Sequence, residues 1–156
     1  MRMRRVLLLL LFGALIGFGI FAVLAWRAVD VEQAGAPEAL RRFTAVRTAL
    51  GGRAPLLTLD DAGNVVRRAA PPAQQPPPLS RLAVLAYQAN EQRLVSAEVP
   101  FWFFRMKGPP TQFLVRGTGL DLERLEITAA DLAKHGPSVV IDHARPNGDR
   151  LLVWTE

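Results

Sequence analysis

From Val6 to Trp26 the chain runs for 21 residues without a charge or a proline. At about 1.5 Å per residue a helix of that length covers roughly 30 Å, the hydrocarbon thickness of a bilayer. A backbone inside lipid must satisfy its own hydrogen bonds, so the run is predicted to be a membrane-spanning helix. Gly13, Gly17 and Gly19 would weaken a helix in water but are frequent in membrane helices. Gly13 and Gly17 also form a GxxxG, a spacing that allows close helix approach and equally arises from the ordinary abundance of small residues there.

The flanks give an orientation. Arg2, Arg4 and Arg5 precede the run, whereas Arg27 beyond it is soon followed by Asp30 and Glu32. The positive-inside rule places residues 1–5 in the cytoplasm and residues 27–156 across the membrane, with Trp26 at the far headgroup layer. The expected location is a bacterial inner membrane with the C-terminal part in the periplasm. A cleaved signal peptide is the competing reading. Val23-Leu24-Ala25 and Ala34-Gly35-Ala36 have small-residue spacing suited to cleavage, but the apolar run exceeds the usual signal length and Pro37 disfavours the second site. Arg4-Arg5 lacks the rest of a twin-arginine signal.

Charge is read differently once that segment is set aside. The whole chain carries +5, but three of its 19 basic residues precede Val6, leaving 16 against 14 acids. The high basicity is partly a topology signal and not a nucleic-acid footprint, so no nucleic-acid partner is expected. There is no Cys, which excludes disulfides, thiolate metal sites and cysteine nucleophiles, and two His exclude a histidine cage.

Beyond the anchor, residues 27–68 read as a membrane-proximal helix and hairpin. Pro37 to Leu50 has helical spacing, a proline suited to the first turn and Gly51-Gly52 as a stop. Pro55 to Asp60 and Asn64 to Arg68 read as strands joined by Asp60-Asp61-Ala62-Gly63. Residues 69–80 hold five of the 12 prolines and read as a semi-rigid extended loop or linker. A docking ligand for an aromatic groove is the alternative. Residues 81–156 form the main part. Leu79 to Gln88 and Arg93 to Met106 read as strands, the second bent at Pro100 at an edge or a bulge. Pro109 to Val115 reads as a short helix. Thr128 and Asp131 have the spacing of a capping box, and Gly136-Pro137 ends that helix. Ser138 to Ala144 and Arg150 to Thr155 read as strands around Pro146-Asn147-Gly148-Asp149. The expectation is α+β: one membrane helix, then an antiparallel sheet of about five or six strands with two or three short helices.

The densest chemistry is Phe101-Trp102-Phe103-Phe104-Arg105-Met106-Lys107. As a strand it places Phe101 and Phe103 on one face and Trp102 and Phe104 on the other. It reads as a doubly buried strand, as an aromatic surface for a protein partner, or as a membrane contact with Arg105 and Lys107 reaching for phosphates. Arg105 to Pro110 is also a basic turn able to hold an anion. His135 lies four residues after Asp131 and shares its helix face, either as an acid–base pair or as a cation at the helix end. Asp142 and His143 point to opposite strand faces, so ligation of a metal with Asp149 needs a folded hairpin. No serine sits in a nucleophile elbow, Gly117-Thr118-Gly119 lacks a phosphate-loop ending, and the Asp60 turn lacks the glutamate of a calcium loop. No cofactor is called for.

The function expected is that of a single-pass anchored binding domain, an accessory or scaffold subunit of an envelope or membrane complex. Its partners are the bilayer, through residues 6–26, and another membrane or envelope protein. An anchored enzyme or small-molecule binder using His135 or His143, with Asp131, Asp142 or Arg105, is the alternative. Convergence of those groups in one concave site favours the alternative, and dispersal favours the binding domain.

Overall fold

Leu82 to Tyr87 is apolar at every position, so a strand built from it has no face to give to water. The computed structural model describes residues 29–105, 125 and 127–156, and it places that strand in the middle of a seven-stranded sheet. In chain order the elements are β1 (Val29–Gln33), α1 (Ala36–Ala49), β2 (Leu57–Leu59), β3 (Val65–Arg68), β4 (Arg81–Gln88), β5 (Arg93–Pro100), α2 (Phe101–Phe104), α3 (Ala129–His135), β6 (Ser138–Ala144) and β7 (Arg150–Thr155). The predicted membrane helix 6–26 with Arg4, Arg5, Gly13, Gly17 and Trp26, the predicted helix 109–115, and Lys107 lie outside the described residues. No helix among the described residues is long and apolar enough to cross a membrane.

The strands are ordered β1-β5-β4-β7-β6-β2-β3. Every neighbouring pair is antiparallel except β2 and β6, which run parallel with Leu57 opposite Ile141. The expected antiparallel sheet of five or six strands is therefore corrected to a mixed sheet of seven. The parallel step joins the β2–β3 hairpin to the rest. Leu56 N–H donates to the Val139 carbonyl at 2.9 Å, and Ala69 N–H returns to the Leu56 carbonyl at 2.7 Å. Strands from both sides of the proline-rich segment thus share one sheet.

Alternation along β4 divides the core. Leu82, Val84 and Ala86 join Val95, Ala97, Val99, Leu151 and Val153 on one face. Ala83, Leu85 and Tyr87 join Leu152, Trp154 and Val139 on the other. Helix α1 covers the second face with Ala39 and Phe43, and a salt bridge from Arg47 to Asp142 of β6 ties it down. Phe101, Phe103, Leu125 and Leu132 cover the first face. A register shift between Val139 and Ile141 inserts Val140 as an extra residue, so Val140 and Ile141 both pack into the first face.

Local chemistry explains the ends of several elements. Pro37 sits in the first turn of α1. The β2–β3 turn is held by Asp60, whose Oδ1 accepts from Ala62 N–H at 3.0 Å and Asn64 N–H at 2.8 Å. Gly136 ends α3 at φ 69°, and a Cβ there would collide with Pro76. The proline-rich segment therefore runs over the end of α3, and only glycine serves at that crossing.

One sequence expectation is corrected here. The strand predicted for Arg93 to Met106 stops at Pro100. Pro100 is the last residue of β5, opposite Arg81 of β4 and past Ala97, where the described pairing with β1 ends. Phe101–Phe104 then turns into helix, with Arg105 N–H donating to the Phe101 carbonyl at 3.2 Å.

Leu152 is fully buried, whereas Val66 on the outer strand is 68% exposed. Leu152→Ala is expected to lower unfolding free energy by about 2–5 kcal/mol. Val66→Ala should stay within about 0.5 kcal/mol of wild type. Denaturant unfolding of the detergent-solubilised full chain, followed by fluorescence, checks both.

Candidate functional site

The aromatic run is a helical turn, and this changes which rings face water. A strand would send two aromatic side chains to each side. The single turn of α2 buries Phe101 and Phe103, half-buries Phe104 and leaves Trp102 60% exposed. Phe101 and Phe104, one helical turn apart, have ring centroids 6.1 Å apart. Trp102 meets the Phe103 ring edge-on at 5.8 Å. The Phe101 N–H donates to the Ser80 carbonyl at 2.9 Å, so the turn is fixed to the start of β4. Arg105 follows and is exposed. The structure therefore separates the aromatic candidates: three rings pack inward, and Trp102 with Arg105 reaches outward.

Beside this turn the sheet end is closed by a charged latch. Arg81 bonds to Glu156 through Nε at 2.9 Å and through Nη2, and to Glu98 at 3.1 Å. Glu156 also accepts from the Trp154 indole N–H at 2.8 Å. That indole bond, then Arg81, holds the Glu156 carboxyl below its usual range, and Glu156 in turn keeps Arg81 more firmly protonated.

The acid–base candidates have structural partners. Thr128 and Asp131 form the capping box expected of them. Thr128 Oγ1 accepts from Asp131 N–H at 3.1 Å, and Asp131 Oδ2 accepts from Thr128 N–H at 3.2 Å and from the hydroxyl at 2.6 Å. These two Thr128 bonds pull the Asp131 carboxyl below the ordinary aspartate range. His135 stands in the last turn of α3. Asp131 and His135 do line one cavity of about 230 Å³ between α3 and the β2–β3 hairpin, with Lys134 and Arg68. Arg68 is engaged there, its Nη2 donating to the Leu125 carbonyl at 3.0 Å.

The other candidates go elsewhere. Asp142 faces α1 and pairs with Arg47, while His143, opposite Leu151, belongs to the other face. His143 Nε2 is buried without a hydrogen-bond partner among the described residues. Asp149 belongs to the β6–β7 turn, where its carboxylate accepts from Ala89 N–H at 2.9 Å and from the Asn147 amide at 2.8 Å. Asp142, His143 and Asp149 thus point to three different places. Among the described residues no group of three or more His, Cys, Asp or Glu is placed to hold a metal ion.

One element escaped the sequence reading. Among the described residues β1 is an edge strand of the sheet, and it begins three residues after Trp26 in the sequence. The alternation Val29-Asp30-Val31-Glu32 was its signal. Ala34 N–H donates to the Gln92 carbonyl at 2.8 Å, in register with the β1–β5 ladder. Antiparallel pairing alternates, so Glu32 and Asp30 also bond inward, while Val31 presents its N–H and C=O to the open side. The Val31 side chain is 55% exposed.

Thr128→Ala is expected to cost about 1 kcal/mol of stability through loss of the cap. The Asp131 carboxyl is depressed in the folded state, so its contribution is complete above the unfolded aspartate pKa. That contribution is lost as pH falls through the folded value. Asp131→Asn should therefore flatten the acid limb of a plot of stability against pH and leave its neutral limb parallel to wild type.

No family model matches the chain, and neither do curated proteins or solved structures.

Proposed function

We propose that the protein is a single-pass, membrane-tethered binding domain: residues 6–26 hold it in a bacterial inner membrane, and the domain acts in the periplasm as an accessory or scaffold subunit of an envelope complex. The observation that carries this reading is the position of β1. This strand follows the apolar run and is, among the described residues, an unpaired sheet edge, with Val31 offering backbone and side chain outward. A tether that ends three residues earlier holds that edge next to the bilayer and raises its effective concentration for membrane partners. An extended segment of such a partner can add to the edge as an eighth strand.

The dispersal of titratable groups supports binding over catalysis. Asp131 is committed to a helix cap, Asp142 to Arg47, and His143 to the opposite face. The cavity beside His135 favours an anchored small-molecule binder as second reading, with Lys134 and Arg68 on its wall.

Full-length protein is purified in mild detergent from its native membrane, and co-purifying proteins are identified by mass spectrometry. The expected result is a stoichiometric membrane partner that is lost on Val31→Pro. Proline there removes an outward N–H and no ladder bond, so the variant should retain the wild-type melting profile. A chain that purifies alone, or a partner retained by a folded Val31→Pro variant, contradicts the reading.

A further inference from the structure

The strand register fixes which end of the sheet lies nearest the apolar run. Val29 is opposite Ala97, and β1 runs antiparallel to β5. The start of β1 therefore lies at the end of the sheet toward which β5 runs from Ala97 to Pro100. The apolar run ends three residues before Val29, a reach of at most about 10 Å. α2 begins at Phe101, so the exposed Trp102 stands at the same end of the sheet as the start of β1.

The same end carries several basic side chains. Arg81 is opposite Pro100, Leu82 is opposite Thr155, and Ser138 is opposite Thr155, so the starts of β4 and β6 share this end. Arg53 reaches it, donating to the Pro137 carbonyl at 2.9 Å. Lys134 at the end of α3 is exposed there beside Asp131, its carboxylate partner at 3.7 Å, and Arg105 after α2 is exposed as well. Glu98 and Glu156 also lie here, but Arg81 pairs with both. The turns at the opposite end carry Asp60, Asp61, Glu91 and Asp149, alongside Arg93 and Arg145.

We infer that the α2 turn is a second membrane contact: Trp102 enters the headgroup layer of the bilayer that holds residues 6–26, and Arg105 meets the phosphates of anionic phospholipid. This rests on the tethered-domain reading and adds a fixed orientation to it. Indole suits the boundary because its ring is apolar while its N–H stays hydrated. Each basic side chain near an anionic surface adds attraction that salt screens. With the chain entering beside β5 and Trp102 seated nearby, the domain is held at two points. The β1 edge then stands upright on the membrane, and the turns at Asn90 and Asn147 point away.

The chain has no cysteine, so single labels are clean. Full-length Trp102→Cys and Asn90→Cys are each given a nitroxide and reconstituted into vesicles of phosphatidylcholine and phosphatidylglycerol. Collisions with oxygen and with an aqueous nickel chelate are read by paramagnetic resonance. The expected result is chelate access several-fold lower at position 102 than at 90, with oxygen access higher at 102. Equal chelate access at the two positions overturns the inference. So does a label at 102 shielded from both reagents, which means that protein and not lipid covers it. Carbonate extraction of the same vesicles separates this failure from that of the tether: a protein that stays embedded with 102 in water keeps its anchor and loses only the second contact. Matching thermal melts for both variants show that the exposed positions tolerate the label.

Discussion

The structure depends on β4 and β7 being apolar on both sides. A sheet whose central strands carry Leu82 to Ala86 and Leu151 to Trp154 cannot leave either face in water, so both faces must be covered. α1 does this on one side, and α2 with α3 on the other. The remaining features follow from how those covers are held. Arg47 reaches Asp142 to hold α1, the Thr128–Asp131 box starts α3, and Pro76 crosses Gly136 where α3 ends. Groups that resemble reactive chemistry in the sequence are largely fasteners of this kind.

Covering the faces leaves the edges open. Among the described residues β1 and β3 each pair on one side only, and neither is capped by a helix. Soluble proteins commonly blunt such edges with charge, and β1 carries Asp30 and Glu32 while β3 carries Arg67 and Arg68. On β1 those acids bond inward through their backbone, and the outward backbone belongs to Val31. An edge blunted by charge yet open at one apolar position is suited to a chosen partner more than to indiscriminate pairing.

Much of the fold was legible because its signals are local. Pro37 and Gly51-Gly52 bounded α1, Asp60 to Gly63 and Pro146 to Asp149 marked two hairpins, and Thr128 with Asp131 announced a cap. What stayed hidden depended on distant contacts. Nothing local says that β2 lies parallel to β6, since that pairing joins residues far apart in the chain. The short strand β1 alternates correctly, but it follows directly on the apolar run and its charges read as topology flanks. The aromatic run misled for a specific reason. Pro100 reads in the sequence as a bend within a longer strand, whereas β5 ends there, Phe101 makes one more bond to Ser80, and the next four residues close a helical turn. The candidate site was legible in composition, since Trp102 and Arg105 stood out. Which ring faces outward required the helical turn, and its sharing an end of the sheet with the start of β1 required the β1–β5 register.

We propose that a helix at residues 6–26 holds this domain on the periplasmic side of a membrane. The most direct test uses Asn90→Cys in bacterial cells whose outer membrane has been opened, with a thiol reagent that cannot cross the inner membrane. The account predicts that the protein is labelled before lysis and sediments with the membranes after carbonate washing. Labelling only after lysis, or release of labelled protein into the wash, would contradict it.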